Sequence, residues 1–240
     1  MKNVNSLFKV GILQCDEVME KLQPQFGVYK DMIQQMFAEV AEPLEFDLFD
    51  CRQMEYPDDI DQYSFFITTG SRQCGYEQEP WIIALIDFVK KLDRQKAKLI
   101  GICFGHQVIA MACHGNVENS EKGWGIGVAE NRVVSEPEWM TEGSDKLNIL
   151  VSHQDQVKLL PDSAVVIAES DFCPYFVVQW SEHFLSIQGH PEWNRDYSRA
   201  LMNERRTIIP AERIDEGFAS LKHDVDYKKF VRWVIEFVTK

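Results

Sequence analysis

The stretch LIGICFGHQVIAMA, Leu99 to Ala112, joins two patterns. Its first part, within AKLIGIC, is a short apolar run of the kind that forms a buried strand. FGHQVIAMACHG then follows at helical period and is closed by Gly115. The same alternation runs through the chain before it. KVGILQC reads as a strand, and QFGVYKDMIQQMFAEV places Val28, Met32, Met36 and Val40 at helical spacing. LEFDLFD alternates like a half-buried strand, and YSFFITTG is a buried strand ending at Gly70. EPWIIALIDFVKKLDRQ is a helix with Pro80 in its first turn and Lys90, Lys91 and Arg94 in its last. Apolar strands alternating with helices predict an α/β fold, with a mostly parallel central sheet and helices on both faces.

The middle changes character. From Val117 to Val134 short strands carry Gly123, Gly125 and Gly127. KLNILVSH, SAVVIAES, YFVVQW and FLSIQGH are further strands joined by turns, which predicts a small added antiparallel section. WNRDYSRALMNERR, AERIDEGFASLKH and DYKKFVRWVIEFVTK return to helix. In the last of these Phe230, Val234, Phe237 and Val238 share a face, which predicts packing on the sheet. No repeat or Pro/Gly/Ser linker divides the chain, so residues 1–240 are expected to form a single domain.

Composition narrows the class. The formal net charge of −13 argues against nucleic acid or an anionic membrane as the main partner. No apolar run is long enough to span a bilayer. The N-terminal MKNVNSLFKVGILQC reads as a first strand rather than a signal peptide, so a cytoplasmic location is expected. Six scattered cysteines with no C-x-x-C pair predict free thiols and no metal site.

Cys103 stands between Gly101 and Gly105 where the strand turns into the helix. G-x-C-x-G is the thiol counterpart of the G-x-S-x-G nucleophile elbow. A sharp turn exposes the side chain, small neighbours let the chain pack closely, and the helix N-terminus favours a thiolate. A thiolate nucleophile also needs a proton carrier. In SIQGHPEW, Pro191 ends a strand and leaves His190 at its rim. Glu192, two residues on, is placed to accept from the imidazole and fix its tautomer.

GICFGHQ together with QGHPEW resembles the class I glutamine amidotransferases of the Cys-His-Glu type. The resemblance implies that Cys103 is the nucleophile, His190 the general acid/base and Glu192 its orienter. It implies hydrolysis of a glutamine side-chain amide through a γ-glutamyl thioester, with no cofactor. FFITTGSRQCGYEQEPWI is similar to the family segment that supplies one oxyanion-hole amide, here Gly70 or Ser71, with Phe104 supplying the other. Gln107 matches the position that helps hold the amino-acid end of the substrate. VSHQDQVKLLP resembles the GMP synthetase amidotransferase subgroup and puts His153 and Asp155 near the site but outside the triad. Where many relatives carry an acidic residue, this chain has Gly125. The same comparison makes His106 structural support for the elbow, and His114, His183 and His223 read as surface or capping residues.

Beyond Glu192 the chain reads as helices, with no P-loop and no GxGxxG pattern. ATP-dependent amination by this chain alone is therefore not expected. The first reading is a stand-alone hydrolase of glutamine or small γ-glutamyl compounds, as in the γ-glutamyl peptidases the chain resembles. The second is a glutaminase subunit that hands ammonia to a synthetase partner chain. The third is a non-catalytic binding protein on the same fold, which an intact triad disfavours.

Overall fold

A computed structural model describes residues 8–41 and 43–240. The start of the N-terminal segment read above, residues 1–7, lies outside the described residues. The strands are β1 (Lys9–Gln14), β2 (Glu45–Asp50), β3 (Phe65–Thr68), β4 (Leu99–Ile102), β5 (Asn116–Asn119), β6 (Gly125–Val133), β7 (Lys146–His153), β8 (Asp155–Leu159), β9 (Val165–Glu169), β10 (Val177–Gln179) and β11 (Phe184–Ile187). The helices are α1 (Gln23–Phe26), α2 (Tyr29–Ala38), α3 (Pro80–Gln95), α4 (Phe104–Ala112), α5 (Arg195–Glu204), α6 (Ala211–Ser220) and α7 (Tyr227–Thr239).

Nine strands form one sheet in the order β2-β1-β3-β4-β11-β10-β9-β6-β7. From β2 to β11 every neighbour is parallel. From β11 outward every pairing is antiparallel. The antiparallel section is thus an extension of the main sheet. FLSIQGH, grouped above with the antiparallel strands, pairs in parallel with β4, Ile187 opposite Ile102. A strand's own sequence does not encode which neighbour it chooses, and the crossover back to β4 is long. β8, unassigned from the sequence, pairs with β5 as a separate two-stranded sheet.

Burial explains the element choice. β3 and β4 are buried at every position, as central parallel strands must be. β2, at the edge, keeps the alternation seen in LEFDLFD. Ile33, Met36 and Phe37 of α2 share one core with Phe230, Val234, Phe237 and Val238 of α7, so the last helix packs on the sheet as expected. Leu85 and Val89 of α3 with Val108 and Ile109 of α4 form a second core. α5 and α6 cover β6 and β7 in a third. One boundary differs from expectation. α4 ends at Ala112, and the left-handed residue after it is His114 (φ 63°), not Gly115. The Gly115 amide donates to the Ala110 carbonyl at 2.8 Å.

The sheet also aims the site. β9 meets β6 only near Arg132 and Val133. The earlier part of β6, with the end of β7, therefore rises past the C-terminal ends of the parallel strands. That is the edge where α/β proteins gather their reacting groups.

Candidate active site

Cys103 follows β4 and precedes α4 with φ 48° and ψ −94°. An L-residue in so sparsely populated a region costs of order 1–3 kcal/mol. Three backbone contacts offset that cost: Cys103 N–H to the Ile187 carbonyl at 2.8 Å, Ile102 N–H to Thr68 Oγ1 at 3.0 Å, and Gln107 N–H to the Cys103 carbonyl at 3.3 Å. The flanking glycines are required by space. A Cβ on Gly105 would lie 1.7 Å from Thr68 Oγ1, and one on Gly101 would lie 2.8 Å from the Gly105 carbonyl carbon.

His190 follows β11, the parallel neighbour of β4, so the two groups meet at one edge. Its backbone N–H donates to the Leu150 carbonyl at 2.8 Å. Its Nδ1 lies 2.7 Å from Glu192 Oε1, with both side chains buried. The ring stacks on Trp193 at 3.5 Å between centroids and 6° between planes. Gly70 lies against the ring's edge, where a Cβ would stand 2.6 Å from Cε1. Burial disfavours the charged ring, but the Glu192 carboxylate and the neighbouring Cys103 sulfur outweigh it and push the pKa up to about 9. Buried Gln188 donates from Nε2 to Cys103 Sγ at 3.5 Å. The sequence reading missed it, although a glutamine between apolar FLSI and GHPE is itself a signal.

The amides of Gly70, Ser71 and Phe104 donate to no acceptor among the described residues. The loop that carries the first two is held from three directions. Arg72 donates from its backbone N–H, Nε and Nη2 to the carboxylate of Asp16 at 2.7–2.9 Å. Burial pushes the Asp16 pKa upward, and these bonds outweigh it and hold the carboxyl below its usual range. Gly75 N–H donates to Gln107 Oε1 at 3.1 Å, while Gln107 Nε2 donates to the Asp155 carbonyl at 3.4 Å. Gln107, expected to touch substrate, thus also serves as a strut. Asp155 accepts from Cys74 Sγ and Tyr76 Oη, each at 2.9 Å. Burial and that carboxylate push the Cys74 thiol up to about 12.

His153 is buried beside the site, its Nδ1 3.2 Å from the Asp155 carbonyl, and burial lowers its pKa to about 4. A Cβ at Gly125 would come within 3.0 Å of His153 Nε2, so no acidic side chain fits there without displacing the imidazole. His106 is buried against Ser186 at 2.7 Å and pushed down to about 3 by burial, as a support for the elbow. His183 pairs with Asp93 and His223 with Glu130. No group of three or more histidine, cysteine or acidic residues is arranged to hold a metal among the described residues. No described helix is long and apolar enough to cross a membrane.

A neutral or charged thiol, a polarised imidazole and an empty pair of amides within one rim can open an amide by nucleophilic attack. Residues 29–205 match the family model described as Glutamine amidotransferase class-I. Gamma-glutamyl peptidase 2 of Arabidopsis thaliana is 33% identical over 226 residues, covering 91% of this chain and 90% of that protein. A glutamine-hydrolyzing subunit of GMP synthase from Methanosarcina acetivorans is 33% identical over 107 residues, covering 44% of this chain and 54% of that protein. The crystal structure of a glutamine amidotransferase from Thermotoga maritima superposes with a TM-score of 0.74 at 19% identity, covering 98% of this chain and 99% of that one.

Proposed function

The chain belongs to the class I glutamine amidotransferase family, and from that membership we propose that it is a stand-alone cysteine hydrolase of γ-glutamyl amide bonds. The observation that carries this reading is the buried 2.7 Å His190–Glu192 pair set beside a strained Cys103. The Cys103 thiolate attacks the γ-carbonyl carbon of the substrate. The oxygen, now negative, is received by the amides of Phe104 and of Gly70 or Ser71. The C–N bond breaks as His190 passes its proton to the leaving nitrogen, which departs as ammonia or an amine. Water then gives a proton to His190 and attacks the thioester, releasing glutamate and the thiolate. Glu192 holds the imidazole in the tautomer both steps need, and Gln188 steadies the sulfur between them.

The near full-length match to a γ-glutamyl peptidase supports hydrolysis without a synthetase. The shorter match to a GMP synthase component supports a second reading, a glutaminase that passes ammonia to a partner chain. Purified protein should release glutamate from glutamine or from γ-glutamyl peptides, and Cys103→Ser should lose at least 1000-fold of that activity. Mass spectrometry of a quenched reaction should find a γ-glutamyl adduct on Cys103. Full activity in Cys103→Ala sinks the mechanism, and strong activation by a synthetase added in trans favours the second reading.

A further inference from the structure

Arg205 follows the last residue of α5 and is half-buried. Its Nη1 donates to Ser152 Oγ at 2.5 Å, and its guanidinium lies over the Trp124 ring, 5.6 Å from the centroid. Arg52, Arg72, Arg132, Arg213 and Arg232 each hold a carboxylate. Arg205 holds none among the described residues. An enclosed cation without a counter-charge is costly, and burial here pulls its pKa down. A hydroxyl and an indole face do not neutralise it.

Its place is specific. Ser152 lies two residues beyond Leu150 on β7, and the Leu150 carbonyl is what holds the His190 backbone. Residues two apart on a strand share a face and stand about 7 Å from each other. Arg205 therefore lies on the imidazole side of the site, with Cys103 and Arg72 among the groups whose charges it feels. The departing nitrogen must leave on that side, because the imidazole gives it a proton.

We propose that Arg205 receives a substrate carboxylate carried beyond the scissile amide, so that the site favours γ-glutamyl peptides with a free carboxylate over glutamine. This rests on the hydrolase reading above. A guanidinium already aimed by Ser152 and Trp124 loses little freedom on binding and can engage a carboxylate through two parallel N–H donors. Free glutamine leaves ammonia and offers no such group.

The probes are γ-glutamylglycine and its C-terminal amide. The wild-type chain should favour the free acid by roughly 10- to 100-fold in kcat/KM, the scale of a charge-assisted hydrogen bond. In Arg205→Met the ratio should fall to near one, chiefly through KM for the acid, and Arg205→Lys should restore part of it. Calorimetric binding of both compounds to Cys103→Ala makes the same comparison without turnover. If the acid binds better there but the wild type cleaves neither, the hydrolase reading falls and the carboxylate site stands. The proposal is overturned by a wild-type ratio near one, by a ratio that survives in Arg205→Met, by an equal loss on both compounds, or by Cys103→Ala binding neither. The wild-type ratio needs no variant to fold.

Discussion

Glu192 acts on its neighbour through charge. Glu192→Gln keeps a hydrogen-bonding oxygen in place and removes the negative charge that helps hold His190 at about 9. Ring-proton NMR should show His190 titrating lower in this variant, and kcat should drop at least 100-fold. Stability follows the same linkage. The folded-state pKa lies above the free value of about 6.5, so the charged pair stabilises the fold fully below that pH. The contribution is lost as pH rises through about 9. Urea midpoints at pH 6 and pH 10 should differ more in the parent than in Glu192→Gln, and equal differences would refute the linkage. The triad was legible because each member sits in a short local pattern, G-x-C-x-G or GHPE. Gln188, Asp16 and Arg205 were not, because each acts through a contact far away in sequence: Cys103 at 85 residues, Arg72 at 56 and Ser152 at 53.

At the scale of elements, the turn after β3 sets the room around the imidazole. Gly70→Ala puts a methyl 2.6 Å from His190 Cε1, at a position with ordinary backbone angles. The ring must move, so activity should fall more than 10-fold while the melting temperature shifts by only a few degrees. Gly105→Ala instead drives a methyl into Thr68, the residue whose hydroxyl braces Ile102, and should unfold the elbow along with the activity. Circular dichroism melts and glutamate release distinguish the two outcomes. The parallel half of the sheet was readable from alternation and burial. The partner of β11 and the existence of β8 were not, because pairing across long loops leaves no periodic trace in either strand.

For the molecule as a whole, environment should rank the thiols. Cys74, Cys113 and Cys173 are each pushed up to about 12 by burial, aided at Cys74 by Asp155. Cys103 faces a charged imidazole and a Gln188 donor. Limiting iodoacetamide at pH 7 should therefore modify Cys103 first, and peptide mapping that finds Cys113 or Cys173 ahead of it would contradict this ranking. The three tethers of the oxyanion-side loop bear on how the chain matures. They reach 56 residues to Asp16, 32 to Gln107 and 81 to Asp155. Contacts so distant close late, because each must first overcome the entropy of a long loop. During synthesis Cys103 emerges well before Asp155 and His190 exist. The nascent chain thus carries its nucleophile without a proton carrier or a fixed loop, and amide cleavage begins only when the last long-range closures are made.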